Sequence, residues 1–174
     1  MSRADVVIRP AIGDDLPAIA DIYAQHVRNG VATFELTPPD SDEWRRRFDA
    51  VAERELPFLT ATVDGEVAGY GYCAPWKTRP AYRHTVEDSV YLAPGAVGRG
   101  LGGRLLDALL SECARAGVRQ VIAVIVDTDG AAASLALHRN RGFIDAGRLT
   151  DVGFKHGQWL DTLLLQRTIR GFTD

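Results

Sequence analysis

The sequence predicts one mixed α/β domain, and three observations carry that expectation. Short β-type runs alternate with segments of helical periodicity along all 174 residues, with no internal repeat and no linker. Residues 121–126 form an unbroken apolar run rich in β-branched side chains, the pattern of a strand covered on both faces. Two β-type runs at 58–63 and 67–73 flank Asp64-Gly65, a strong antiparallel hairpin signal, so the sheet is expected to hold both strand senses.

The elements follow in order. Residues 6–9 read as a short strand. Asp14, Asp15 and Pro17 start a helix, with the cap expected before the proline, whose stripe is Ile19, Ile22 and Tyr23 and which Gly30 ends. Ser41 is expected to cap a second helix, in which Trp44, Phe48 and Val51 recur at helical spacing. The hairpin comes next, then a tract rich in Pro, Trp, Lys and Arg, then a strand at 86–92. Gly98, Gly100, Gly102 and Gly103 open a third helix carrying Leu105, Leu106, Leu109, Leu110 and Cys113, and Gly117 stops it. After the buried strand, 131–139 is a short helix ending before Gly142. Two strands, around Phe154 and at 160–166, close the chain about a His156-Gly157 turn. The expected total is about seven strands and about four helices in one domain spanning 1–174.

Composition excludes several classes. At 46% apolar and 25% charged the chain is of ordinary globular type, neither fibrous nor disordered. A net charge of −3 argues against a nucleic-acid partner. No apolar run approaches the roughly 18 residues of a membrane span, and the polar start carries no signal-peptide pattern, so a cytoplasmic protein is expected. Cys73 and Cys113 lack ligand-like spacing; they read as buried small hydrophobes in a reducing compartment, with no metal implied.

Gly98-Arg99-Gly100-Leu101-Gly102-Gly103 satisfies the dinucleotide pattern G-x-G-x-x-G, and Asp127 lies 24 residues beyond Gly103. Placement argues against a nicotinamide cofactor, because about ninety residues and an antiparallel hairpin precede the turn and too little chain follows. A Walker loop fails for want of Gly-Lys-Ser/Thr. The physics of the turn holds under any label: converging backbone N–H groups and the positive end of a helix bind phosphate, and Arg99 and Arg104 add charge.

The order of strand, Arg99-Gly100-Leu101-Gly102 turn, amphipathic helix, buried strand and short helix ending His138-Arg139-Asn140-Arg141-Gly142-Phe143 resembles the GCN5-related N-acetyltransferases (GNAT). Pro75-Trp76-Lys77-Thr78-Arg79, Ala81-Tyr82, Thr85-Val86-Glu87 and Val152-Gly153-Phe154-Lys155-His156-Gly157-Gln158-Trp159-Leu160-Asp161 are similar to the phosphinothricin acetyltransferase subfamily. The resemblance implies a central mixed, twisted sheet flanked by helices, acetyl-CoA as co-substrate, a homodimer meeting near 154–159, and acetylation of phosphinothricin, methionine sulfoximine or methionine sulfone. Two positions depart from the family pattern. Val97 stands where Gln or Arg is usual, and Ala131 where Asn often is.

The same resemblance assigns roles. Glu87 is the general base, on a strand face shared with Thr85, Ser89 and Tyr91. His138, one turn after Ser134, transfers a proton at the acyl centre, as acid or as base. Tyr91, Leu92, Val97, Gly98, Arg99, Gly100, Leu101, Gly102 and Ser134 are expected to hold acetyl-CoA, with an oxyanion donor in the backbone near Tyr91 and Leu92. Lys77 and Arg79 suit an acceptor's carboxylate and phosphinyl or sulfonyl group, Tyr82 offers a hydroxyl, and Phe34 walls the side chain. His26, His84 and His156 receive no role. The alternatives are a polyamine, an aminoglycoside or a protein N-terminus as acceptor, or an acyl-CoA sensor without catalysis.

Overall fold

In the computed structural model, which describes residues 5–169, the chain orders as β1 (Val6–Pro10), α1 (Leu16–Asn29), α2 (Ser41–Glu53), β2 (Phe58–Val63), β3 (Glu66–Pro75), β4 (Thr85–Leu92), α3 (Leu101–Arg115), β5 (Gln120–Val126), α4 (Ala132–Arg139), β6 (Ile144–Lys155) and β7 (Gln158–Thr168). The strands form one sheet in the order β1-β2-β3-β4-β5-β7-β6. Every neighbouring pair is antiparallel except β4 with β5. The four-helix, seven-strand mixed sheet is the expected architecture.

Two apolar layers hold the sheet. On one face Leu105, Leu106, Leu109 and Cys113 of α3 pack on Val86, Val121, Ala123 and Leu165. On the other, Ile19, Tyr23 and Val27 of α1 and Trp44 and Val51 of α2 cover Phe58 and Tyr70. β5 is buried along nearly its whole length, as its unbroken apolar run requires. Both hairpin turns place two residues at positive φ, Asp64 and Gly65 in one, His156 and Gly157 in the other. This turn matches the twist of the strands it joins.

Three local expectations are corrected. Asp40, not Ser41, caps α2: its Oδ1 accepts from the Glu43 N–H at 2.8 Å. Asp15 does not cap α1 with its side chain, because the carboxylate is taken by Arg9 and the Ile12 N–H. The first of the last two strands starts at Ile144, well before Phe154, with mostly exposed side chains and two register irregularities against β7.

Candidate active site

β4 and β5 pair only from Thr85↔Gln120 to Glu87↔Ile122. Beyond that point β4 stays on β3 as far as Leu92 while β5 stays on β7 as far as Val126, so the two strands part. The register tells which backbone groups line the opening. The Ala93 N–H donates to Ala68 and the Trp76 N–H to Thr85, whereas the Gln120 N–H donates to His84. Odd positions of β4 therefore turn their backbone to β3, and even positions turn theirs toward β5. The Asp88 N–H still faces Ile122 in the last parallel pair, so the N–H groups of Val90 and Leu92 open into the gap, while Tyr91 is bonded to β3. The Leu92 carbonyl accepts from His26 Nε2 at 2.9 Å. His26, which the sequence left without a role, ties α1 to the end of β4.

The glycine turn lies directly after β4. A 3-10 turn at Pro94–Ala96 leads to Val97, 63% exposed, and then to Gly98 and Gly100 at φ of 78° and 75°. A side chain at either glycine would meet no atom, so the need for glycine is conformational. Gly100 precedes α3, whose first turn has neither a side-chain cap nor an acidic residue. Its free N–H groups and helix dipole make a site for anionic oxygens. Arg99 is exposed beside them. Arg104 is turned away and donates to the Val6 carbonyl at 3.0 Å. The donor set fits a pyrophosphate, and the adjoining gap offers N–H groups to a thioester oxygen. Ala131 is buried, and its N–H is bonded to the Thr128 carbonyl.

The side chains of β4 divide between the faces. Val86, Val90 and Leu92 join the α3 layer and Tyr91 joins the α1 layer. Glu87 is half-buried on the Tyr91 face. Burial, then the neighbouring Asp88 charge, raises its pKa above the ordinary glutamate value, against the opposing influence of Lys77. Asp88 and His138 meet on the opposite face. Asp88 Oδ2 is 2.9 Å from His138 Nε2, and His138 Nδ1 is 2.7 Å from the Ser134 carbonyl oxygen. Both residues are buried. Burial opposes charge on the imidazole, but the Asp88 hydrogen bond and charge, with the Ser134 carbonyl, outweigh it and leave the pKa raised. Glu87 and His138 are thus on the two sides of the diverging strand, and no local pattern around Asp88 marks its meeting with His138.

On the Glu87 face, residues 30–40 between α1 and α2 pass over an aromatic layer. Tyr23 OH is 2.6 Å from Thr33 Oγ1 and donates to Glu35 at 3.1 Å; burial pushes its hydroxyl pKa up to about 12, with Thr33 opposing. Lys155, in the β6–β7 hairpin, is buried and donates Nζ–H to the Thr33 carbonyl at 2.8 Å. Phe34 packs on Gly153 so closely that a Cβ there would be 2.3 Å from Phe34 Cε2. Lys77 is exposed with its Nζ 4.8 Å from the centre of the Trp76 ring. Arg79 and Tyr82 are exposed on the same β3–β4 connection, Tyr82 in the 3-10 turn at Pro80–Tyr82. No acidic residue occurs in this connection, residues 76–84.

Size does not locate the chemistry. Cavities of about 760 and 640 Å³ lie elsewhere, one by Asp107 and Gln166, the other by Ile8 and Phe48, and neither is lined by Glu87 or His138. Among the described residues no His, Cys, Asp or Glu cluster is placed to hold a metal ion, and no helix is long and apolar enough to cross a membrane.

Comparison with known proteins agrees with this geometry. The chain is 48% identical over 169 residues to a phosphinothricin N-acetyltransferase of Alcaligenes faecalis, covering 97% of this chain and 85% of that one. It is 40% identical to an L-methionine sulfoximine/L-methionine sulfone acetyltransferase of Pseudomonas paraeruginosa, covering 91% and 92%. A phosphinothricin acetyltransferase of Sinorhizobium meliloti, solved in complex with AcCoA, superposes with a TM-score of 0.90 at 44% identity, over 94% of this chain and 88% of that one. The acetyltransferase (GNAT) family pattern matches residues 20–143, and this chain belongs to that family.

Proposed function

We propose that this protein is an acetyl-CoA-dependent N-acetyltransferase acting on the α-amine of a small amino-acid analogue of the phosphinothricin, methionine sulfoximine or methionine sulfone type. The observation that carries the reading is the parting of β4 from β5 just beyond Glu87, with the anion-binding turn at its end. The activities of the two relatives point to the same acceptor class.

Acetyl-CoA supplies the activated acetyl group. The N–H groups of the first turn of α3, with Gly98, Arg99, Gly100, Leu101 and Gly102, hold its pyrophosphate, and Val97 contributes backbone only. The Val90 and Leu92 N–H groups take the thioester oxygen as charge develops on it. Glu87 removes a proton from the acceptor amine, directly or through water; its raised pKa makes it a stronger base than an exposed glutamate. Lys77 and Arg79 hold the acceptor's carboxylate and oxyacid group, Tyr82 adds a hydroxyl, and Phe34 walls the side chain. His138, held by the Ser134 carbonyl and Asp88 on the other face of β4, is the residue this reading gives proton transfer, as acid or as base.

The same reading treats residues 1–174 as one catalytic domain in the cytoplasm, where the free thiols of Cys73 and Cys113 suit a reducing medium. It also makes the protein a homodimer. Leu149, Val152, Phe154 and Trp159 are 46% to 64% exposed along the edge strand β6 and the start of β7, an apolar surface that favours a partner.

The test is release of CoA thiol from acetyl-CoA with methionine sulfoximine, phosphinothricin and spermidine as parallel acceptors. Turnover with the amino-acid analogues and not with spermidine is expected. Turnover with spermidine alone would keep the reaction and discard the acceptor pocket. Silence with all three, with acetyl-CoA still bound, would favour a sensor.

A further inference from the structure

Leu92 ends β4, and its N–H and its carbonyl both face the gap, because even positions of that strand turn their backbone toward β5. The N–H suits a thioester oxygen. The carbonyl does not, since two oxygens repel. β5 has parted from β4 by then, so the donor to this carbonyl comes from outside the sheet: His26 of α1, with Nε2 at 2.9 Å. A carbonyl oxygen only accepts, so Nε2 carries a hydrogen whether the ring is neutral or charged.

The imidazole is itself held in place. Tyr23 and His26 are three residues apart on α1, and both rings contact that of Tyr91, with centroids 5.1 and 5.2 Å away. The rest of Leu92 is equally constrained. The Ala93 N–H, in the same peptide as the Leu92 carbonyl, donates to Ala68 at 2.9 Å. The Leu92 side chain lies across Gly69 of β3, where a Cβ would be 2.5 Å from Leu92 Cδ2. On the other side a Cβ on Gly102, in the first turn of α3, would be 3.7 Å from Leu92 Cδ1. The 92–93 peptide is thus fixed by β3 at its N–H and by α1 at its carbonyl. It joins the gap to the anion-binding turn, which begins at Pro94.

We propose that His26 is a positioning residue for acetyl-CoA. Its Nε2–H fixes the Leu92–Ala93 peptide, which keeps the Leu92 N–H aimed at the thioester oxygen and the glycine turn in register with the pyrophosphate. The assignment rests on the acetyltransferase reading above and adds a residue of α1 to the groups that act on the cofactor. His26 acts through Leu92, not on the substrate. Its hydrogen also offsets the negative Leu92 oxygen, so the mouth of the gap does not repel the charge that develops on the thioester oxygen. Without that donor the peptide is free to turn, and both effects are lost together.

The test compares two variants. His26→Phe keeps a ring against Tyr91 and lacks the donor; His26→Gln carries an amide N–H that ends near the position of Nε2. In His26→Phe, kcat should fall about 10-fold and acetyl-CoA binding, read by calorimetry, should weaken about 3-fold to 10-fold, while the acceptor KM stays within about 2-fold. His26→Gln should restore most of both losses. An unchanged kcat and Kd in His26→Phe overturns the assignment. So does a His26→Gln protein that loses as much as His26→Phe, or an acceptor KM that rises in step with the acetyl-CoA Kd, because His26 then only packs α1 on the sheet. If His26→Phe fails to fold, His26→Asn, whose amide stops short of the carbonyl, takes its place. The binding measurement needs no turnover, so the two readings fail separately. The expected pattern of Kd in a protein that acetylates no amine would overturn the acetyltransferase reading and leave His26 as a residue that positions the cofactor site.

Discussion

Glu87 and Asp88 are consecutive on β4, yet each serves a different face of the sheet: Glu87 is beside the tyrosines under α1 and α2, and Asp88 is bonded to His138 of α4 at 2.9 Å. Strand alternation does this, and it sets two carboxylates from one short stretch on opposite faces of the sheet. The two carboxylates also interact, since the charge of Asp88 adds to burial in raising the Glu87 pKa.

That coupling sets the outcome for Glu87→Gln. Loss of the base should lower kcat about 100-fold, with acetyl-CoA affinity nearly unchanged. The folded state raises the Glu87 pKa, so it disfavours the ionised side chain, and this burden on stability grows as pH rises through the glutamate range. Glu87→Gln should therefore melt slightly higher than the wild type at pH 7, and the difference should vanish below about pH 4. Melting curves at the two pH values check the sign.

Gly153→Ala tests whether the β6–β7 hairpin shapes the acceptor pocket. The new methyl would be 2.3 Å from Phe34 Cε2, so Phe34 or the hairpin must move. The expected cost is about 1–3 kcal/mol of stability, as for other overpacked sites, with the acceptor KM raised several-fold and the acetyl-CoA KM unchanged. Phe34→Leu in the same protein should recover part of both losses, because the two residues are in contact. Loss of acetyl-CoA binding instead would place Phe34 outside the acceptor pocket.

Gly100→Ala separates conformation from contact. Nothing lies within 4 Å of the added methyl, but the residue must keep a φ of 75° at the entrance to α3. An alanine there costs about 1–2 kcal/mol, and relaxing that strain tilts the N–H groups meant for the pyrophosphate. Calorimetry should find weaker acetyl-CoA binding, with the acceptor KM little changed. An unaltered Kd would mean that the turn does not grip the cofactor.

These features differ in how legible they were. The two positive-φ hairpin turns and the glycine turn were readable because the backbone conformation itself demands particular residues there. Asp40 and Ser41 are adjacent good caps, and only the path of the entering chain selects Asp40. The start of β6 is exposed and carries no alternation, so only its pairing with β7 makes it a strand. His26 with Leu92, and Asp88 with His138, join residues 66 and 50 positions apart, and no local pattern reports such a meeting.

Trp159→Asp addresses assembly. Trp159 is 64% exposed and in ring contact with Phe154 at 5.0 Å. A charge in that patch should convert a dimer to a monomer in sedimentation, with the melting profile of the monomer still cooperative. A wild-type protein that sediments as a monomer would remove the dimer from the proposal.

The Asp88–His138 pair also predicts how stability varies with pH. The folded state raises the His138 pKa, because the Asp88 and Ser134 contacts outweigh the burial that opposes them. The unfolded chain binds that proton only near the ordinary histidine value, about 6.5. Stability from the pair is therefore fully present below that value and is lost as pH rises through the higher folded-state pKa. His138→Gln should be destabilised relative to the wild type at pH 6 and should approach it at pH 9. If the pair only tied α4 to β4 as neutral groups, the deficit would be the same at both. Chemical denaturation at pH 6, 7, 8 and 9 distinguishes a charged pair from an uncharged tie, since only the charged pair loses its contribution as the proton leaves.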